Sequence, residues 1–285
     1  MPVPQKIHAR LTGLAAAAAA TALVVAGPVP TGTASAPAAG ADGPTARAAS
    51  GPPPGHPITE LVGQFPLPKL QETEAHLSLS KWGYRFQAGM ADNQVTITEV
   101  GRRLRFADAA ARRWAHLPKT CQRRPAAVGI AASCRIPKNF SNDRMFLEVW
   151  PRLGDDTVDG STLSAKYRMW VLVDEGDDTI HLGAGADFAN GAFDDDTVTG
   201  GRGNDWIRVG TGSNVVDGGP GRDRLMGGDD RDLIRGGPGV DRLGGHGGYD
   251  VLWGEGADDI VVGGPGNDIG YREGNDRFRE VESVR

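Results

Sequence analysis

The sequence lacks the short motifs that mark the familiar classes of enzyme. There is no His-Glu-x-x-His zinc motif, no Gly-x-x-x-x-Gly-Lys phosphate-binding loop and no zinc-type cluster of cysteines. The Gly-x-Ser-x-Gly motif of serine hydrolases is also missing. Six histidines are scattered along the chain without the spacing of metal ligands. These absences favour a protein that is not an enzyme.

Methionine and tyrosine are scarce as well, with five and four residues, whereas glycine occurs 42 times in the 285 residues. Glycine permits tight turns that other residues resist, and it adds no side chain to a hydrophobic core. The composition therefore predicts many turns around a thin core.

Lysine is absent from residues 173–285, where 24 acidic residues against 11 arginines give a net charge of −13. The preceding 172 residues have 12 acidic and 20 basic side chains, which give +8. An acidic segment of this kind repels itself unless cations neutralise it, and it does not suit a nucleic acid partner.

Residues 1–40 have the pattern of a signal peptide. Lys6, His8 and Arg10 precede an uncharged, alanine-rich run from Leu11 to Ala26, and small residues offer a cleavage site between Ser35 and Ala41. The run is short for a membrane span and poor in Leu, Ile and Phe, although a retained anchor is the alternative. We expect a secreted, extracellular protein with no membrane span after signal removal.

The chain from Val173 to Tyr271 divides into 11 consecutive units of nine residues without insertion. Position eight of each unit is nearly always aliphatic, and glycines are frequent at positions one, two and four. Position six is acidic in every unit but one, which has an asparagine: Asp178, Asp187, Asp196, Asp205, Asn214, Asp223, Asp232, Asp241, Asp250, Asp259 and Asp268. One apolar side chain per unit is buried only if the units stack, so the array predicts a solenoid.

Stacking brings the position-six carboxylates into line, where like charges in a partly dry site repel strongly. Ca²⁺ accepts six to eight oxygen ligands in flexible geometry, and glycine-rich turns offer carbonyl oxygens beside the aspartates. We therefore predict that several calcium ions bind to the ten position-six aspartates. The position-four glycines Gly203, Gly221 and Gly239 complete the predicted ligand set.

The pattern Gly-Gly-x-Gly-x-Asp-x-aliphatic-x resembles the hemolysin-type (RTX) calcium-binding repeat. Gly200–Arg208, Gly218–Met226 and Gly236–Gly244 match it in full, and Gly263–Tyr271 departs only at Gly270. The resemblance implies an all-β fold: a right-handed parallel β-roll, or β-solenoid, of nonapeptide repeats over residues 173–285. Two units would form each turn, with calcium between successive turns.

With two units per turn, alternate units share a side. The first side has Asp187, Asp205, Asp223, Asp241 and Asp259, and all three full matches belong to it. The second side includes Asn214, and Asp194 and Asp230 replace the glycine at position four there. Our hypothesis is that the first side binds calcium more tightly, so that loss of Asp223 weakens binding more than loss of Asp196.

Upstream of the repeats, residues 41–57 form an Ala/Gly/Pro-rich segment that we interpret as a disordered linker. Residues 58–172 are predicted to be an irregular β-rich region that caps the solenoid. Val95–Thr98 and Met145–Trp150 alternate as strands do, and Phe106–Leu117 favours a short helix.

The same region resembles exported calcium-binding proteins of high-GC Gram-positive bacteria. The similarity lies in the strand Asn93–Ile97, in a pair of cysteines, and in the segment Leu153–Val158 that leads into the repeats. Cys121 and Cys134 are predicted to form a disulfide, since an even, close pair in an exported protein favours one. A two-cysteine metal site is the alternative, with only His116 nearby.

The sequence is compatible with several rival interpretations. The aspartates of a calcium-free solenoid could only cap turns, which is the role we assign to Asp156 and Asp159. A secreted enzyme acting on polysaccharide or lipid could use the roll as a folding and secretion module. A basic cluster suggests anionic cell-surface polymers as partners, with a solvated face as the alternative; it comprises Arg102, Arg103, Arg105, Arg112, Arg113, Lys119, Arg123 and Arg124.

Overall fold

The computed structural model describes residues 70–140 and 145–285. The predicted signal peptide and linker, residues 1–57, lie outside this range. The described residues form strands, turns and one 3₁₀ turn at Lys138–Phe140, without an α-helix. Over the same residues, no helix has the length and apolar character required to cross a membrane.

The strands are short, and most of those in the repeats contain three to six residues. In chain order they are β1 (Glu74–Leu79), β2 (Gly83–Ala88), β3 (Gln94–Val100), β4 (Arg103–Asp108), β5 (Arg113–His116), β6 (Cys121–Arg124), β7 (Ile130–Arg135), β8 (Met145–Trp150), β9 (Thr157–Asp159), β10 (Tyr167–Leu172), β11 (Thr179–His181), β12 (Phe188–Ala192), β13 (Thr197–Thr199), β14 (Trp206–Thr211), β15 (Val215–Asp217), β16 (Arg224–Asp229), β17 (Leu233–Arg235), β18 (Arg242–His246), β19 (Val251–Trp253), β20 (Ile260–Val262), β21 (Ile269–Tyr271), β22 (Arg277–Arg279) and β23 (Ser283–Val284).

From β8 onward the strands alternate between two sheets, and each pairs in parallel with the strand two places later. One turn of the coil spans 18 residues in the repeats, as in the pairing of Ile180 with Val198. About eight turns follow one another in this way, from β8–β9 to β22–β23. The predicted all-β fold with a parallel β-roll is confirmed.

In the sheet that contains β11, β13 and β15, each of these strands buries one side chain. Ile180, Val198 and Val216 point inward and are at most 1% exposed, while the residues on either side of each face outward. This alternation follows from the two-residue period of a strand. Gly270 interrupts the aliphatic series because the ring of Phe278 fills its place: a Cβ on Gly270 would lie 2.3 Å from that ring.

The region before the repeats continues the same two sheets. β2 pairs in parallel with β8, and β3 pairs in parallel with β9, so the parallel pairing begins upstream of Val173. Between β3 and β8 the chain makes an antiparallel excursion in which β4 pairs with β3 and β7, and β6 pairs with β7. The strands predicted at Val95–Thr98 and Met145–Trp150 are confirmed as parts of β3 and β8.

The helix predicted at Phe106–Leu117 is wrong. This segment contains the end of β4, a bend and β5. Leu104, Phe106 and Asp108 are buried at every second position of β4, which is the burial pattern of a strand. Antiparallel pairing with β3 and β7 outweighs the local helix propensity of the alanines and arginines.

Cys121 and Cys134 form a disulfide that joins β6 to β7. The two cysteines are direct cross-strand partners and are 8% and 0% exposed. Nearby, the Tyr84 hydroxyl donates to the Arg135 carbonyl oxygen at 2.9 Å. The disulfide and this hydrogen bond hold the edge hairpin against the core of the capping region.

Candidate metal centre

Two columns of buried acidic residues follow the corners of the roll. Every member directly precedes a strand and is at most 4% exposed, because the parallel register places it directly above its equivalent in the next turn. The first column consists of Asp187, Asp205, Asp223, Asp241, Asp259 and Asp276. The second column consists of Asp156, Asp178, Asp196, Asn214, Asp232, Asp250 and Asp268. All ten aspartates predicted as ligands lie in these columns, five in each.

A backbone hydrogen bond holds one oxygen of each carboxylate. The Asp187 N–H donates to Asp205 Oδ1 at 2.8 Å, and the Asp205 N–H donates to Asp223 Oδ1 at 2.7 Å. The same bond repeats along the second column, from Asp178 to Asp196 at 3.2 Å. Because equivalent residues are 18 apart, the same hydrogen bond repeats from turn to turn, and the backbone of each turn orients the carboxylate of the next.

The other carboxylate oxygen is mostly without a partner. Nine buried Oδ2 atoms in the columns accept no hydrogen bond from any described residue: those of Asp156, Asp178, Asp196, Asp205, Asp223, Asp241, Asp250, Asp259 and Asp268. Asp187, Asp232 and Asp276 differ, because their Oδ2 atoms accept from the N–H groups of Gly183, Gly228 and Glu273. An unpaired buried carboxylate oxygen is strongly unfavourable, and a bound cation would remove that penalty.

Glycines pack so closely against most of these carboxylates that a larger residue would not fit in their place, as around Asp223. A Cβ on Gly218 would lie 2.7 Å from Asp223 Oδ2, and one on Gly221 would lie 2.8 Å from Asp223 Oδ1. The same Cβ on Gly221 would lie 1.5 Å from the carbonyl oxygen of Gly203 in the preceding turn. Gly203, Gly221 and Gly239 are linked by parallel bridges, so the position-four glycines form a stack of backbone groups beside the first column.

Burial makes the columns hard to ionise in the absence of metal. Burial, with smaller contributions from Asp187 and Asp223, raises the pKa of Asp205 to about 9. In the second column burial, together with the charge of Asp178, raises the pKa of Asp196 to about 8. The columns therefore need protons or cations to balance their charge.

The donor set fits a hard divalent cation. Among the described residues no three His, Cys, Asp or Glu side chains converge on one point. An ion in a column would therefore combine carboxylates of successive turns with backbone or water oxygens. Such an all-oxygen, flexible set suits Ca²⁺ better than Mg²⁺, which requires near-ideal octahedral geometry.

Asn214 satisfies its own side chain without a metal. Its Oδ1 accepts from the Asp196 N–H at 2.8 Å, and its Nδ2 donates to the Gly212 carbonyl oxygen and to Asp232 Oδ1, each at 2.9 Å. The Asn214 amide thus donates hydrogen bonds to oxygen atoms that a cation would otherwise coordinate. The second column is interrupted at this turn.

The sequence predicts an ordinary turn role for Asp156, but the structure places it in the second column. It is 1% exposed, its N–H donates to Asp178 Oδ1 at 2.8 Å, and burial raises its pKa to about 8. The sequence contains an indication of this position, because the segment Gly154–Val158 recurs at Gly176–Ile180 with one conservative change. Asp159, by contrast, accepts from the Ser161 N–H and hydroxyl, as a turn residue does.

The fold and its columns define a parallel β-roll whose turns present rows of carboxylates to cations. Residues 172–269 match the family model of the RTX calcium-binding nonapeptide repeat in four overlapping copies, at 172–207, 199–234, 208–243 and 235–269. This part of the chain is therefore an array of RTX calcium-binding repeats, a family whose repeats bind calcium and are not catalytic. No curated protein and no solved structure matches the chain significantly.

Proposed function

We propose that the protein is secreted and that its repeats fold into the roll when they bind calcium outside the cell. The nine unpaired, buried Oδ2 atoms are the observation that supports calcium-dependent folding most directly. Where free calcium is scarce, their desolvation and mutual repulsion oppose folding. At millimolar calcium the ions would bind to the folded roll and not to the unfolded chain, and this selective binding would stabilise the folded state by mass action.

The test is circular dichroism and thermal melting of the full chain in EDTA and in millimolar calcium, with bound ions counted. We expect strand content and melting temperature to rise with calcium, and several ions to bind. Equal strand content and melting temperature in both buffers would refute the proposal.

The two columns should contribute unequally. Asp223 lies between two carboxylates, those of Asp205 and Asp241, whereas one column neighbour of Asp196 is the self-satisfied Asn214. Asp223→Asn therefore weakens two gaps between turns and Asp196→Asn only one. Calcium titrations should show the larger loss of affinity for Asp223→Asn, and equal losses would contradict this asymmetry.

The capping region supports a non-enzymatic role. A separate catalytic domain would have its own core, but β2, β3, β8 and β9 belong to the two sheets of the roll. A secreted enzyme that acts on polysaccharide or lipid remains the alternative. Hydrolysis by the calcium-loaded chain in a screen of such substrates would favour it.

Anionic cell-surface polymers are the partner that the basic cluster suits. Arg112, Arg113, Arg123 and Arg124 line one surface pocket beside the buried Trp114, and Arg113 also forms an ion pair with Glu74. Converging guanidinium groups suit phosphate or carboxylate groups. Binding of inorganic polyphosphate should weaken in the double variant Arg112→Ala/Arg123→Ala, and unchanged binding would contradict this assignment.

A further inference from the structure

We propose that one more cation site lies upstream of the repeats, at the corner where Asn93, Asp108 and Asp156 occupy the same end of three adjacent strands. This inference rests on the proposed calcium-binding function and extends it beyond residues 172–269. Asn93 Oδ1, Asp108 Oδ2 and Asp156 Oδ2 are buried and have no hydrogen-bond partner among the described residues. The three residues are 1%, 0% and 1% exposed.

The three side chains come from adjacent strands at one corner of the sheet that contains β3, β4 and β9. Asn93 directly precedes β3, Asp156 directly precedes β9, and Asp108 ends β4, while β3 lies between β9 and β4. The Asn93 N–H donates to Asp156 Oδ1 at 2.7 Å, and the next N–H, that of Gln94, donates to Asp108 Oδ1 at 3.2 Å. Two successive backbone groups thus orient the two carboxylates on either side of one strand.

Asn93 differs from Asn214 in a way that points to a ligand. The Asn214 amide uses both its oxygen and its nitrogen within the column. Asn93 directs its Nδ2 to the carbonyl oxygens of Gly89 and Ala91 and to Asp156 Oδ1, which leaves its Oδ1 without a donor. This bare amide oxygen and the carboxylates on the two neighbouring strands together form an all-oxygen donor set with a charge of −2.

This donor set suits a hard divalent cation, and calcium in particular, because backbone carbonyl or water oxygens can complete its flexible shell. Asp108 belongs to the antiparallel excursion and not to the coil. A cation bound here would therefore connect three strands, β4, β3 and β9, and would couple the capping region to the roll.

The test compares the full chain with Asp108→Asn, which removes one charge while its amide oxygen can still accept from Gln94. Bound calcium is counted by native mass spectrometry, and melting temperatures are measured with and without calcium. We expect Asp108→Asn to bind one ion fewer and to gain less from calcium. Asp159→Asn is the control, since Asp159 caps a turn outside the column, and it should bind the wild-type number.

Equal ion counts and equal calcium-induced shifts in the wild type and Asp108→Asn would overturn the site. If the wild type binds no calcium, the proposed function itself fails. Should Asp108→Asn not fold, Asp156→Asn decides in its place, because Asn214 shows that the column accepts an asparagine. Wild-type calcium binding by a folded Asp156→Asn would then refute the inference.

Discussion

The close approach of successive turns makes Gly221→Ala a strong test of the roll. An added Cβ would lie 1.5 Å from the Gly203 carbonyl oxygen, a backbone atom that cannot move without its whole turn. Relief of the clash would require these two turns to separate, which strains the hydrogen bond between them from the Gly203 N–H to the Pro220 carbonyl oxygen at 3.0 Å. It would also displace the Asp223 carboxylate, 2.8 Å from the new methyl group.

Forced overpacking of this kind costs about 3 kcal/mol or more. For a folded unit of this size, that corresponds to a fall in melting temperature of roughly 6–12 °C, measured in saturating calcium. The matched control is Gly244→Ala, whose Cβ would approach nothing closer than the His246 ring at 3.8 Å. Neither glycine has a positive φ, so backbone strain does not distinguish the two variants.

Gly244→Ala should melt at the wild-type temperature or slightly above it, because alanine restricts the unfolded chain. A Gly221→Ala variant that melts within a degree of the wild type would show that the turns are not in this contact. Equal destabilisation by both substitutions would show that glycine is required for another reason.

Two further predictions concern protons and the disulfide. The pKa of Asp205 rises to about 9 in the folded chain, above its unfolded value near 4, so the metal-free roll takes up protons on folding. The stability of the metal-free roll is then greatest below about pH 4 and falls as the pH rises toward 9. If folding takes up two protons in this range, the unfolding free energy falls by about 2.7 kcal/mol for each unit by which the pH rises. Melting in metal-free buffer should occur at lower temperature at pH 8 than at pH 5, with a larger gain from calcium at pH 8; a melting temperature that rises with pH would refute this. Cys121→Ser/Cys134→Ser opens a loop with a sequence separation of 13 and should lower the unfolding free energy by about 3 kcal/mol in denaturant titrations, while the number of bound ions stays unchanged. A double variant that binds fewer ions but keeps the wild-type stability would contradict this prediction, in which the disulfide stabilises the fold without taking part in calcium binding.

The sequence alone was sufficient to predict the roll and the ten aspartates in its columns, because a strict period of nine residues fixes the parallel register. The residues upstream of the repeats that lie in or beside the second column are harder to predict, because the nine-residue period does not extend to that part of the sequence. Asp156 precedes its partner Asp178 by 22 residues, and Asn93 precedes Asp156 by 63. Asp108 cannot be found by spacing at all, because it reaches the corner through the antiparallel excursion.

Local signals also failed where distant contacts decide the structure. The segment Phe106–Leu117 has helical propensity, yet pairing with β3 and β7 makes its first part a strand. Gly270 breaks the aliphatic series, yet the core is continuous there because Phe278 of the last turn fills the space. Neither outcome is visible until the sheets are assembled.

The asparagine in the second column gives the two sides of the roll different dependence on calcium. In the gaps on both sides of Asn214, toward Asp196 and toward Asp232, a cation would meet one carboxylate fewer. This turn is thus held by hydrogen bonds in the absence of metal. The first column has no such position from Asp187 to Asp276, so neighbouring ions there would share carboxylates without interruption. Shared carboxylates couple adjacent sites, and calcium binding along the first column should therefore be the more cooperative of the two.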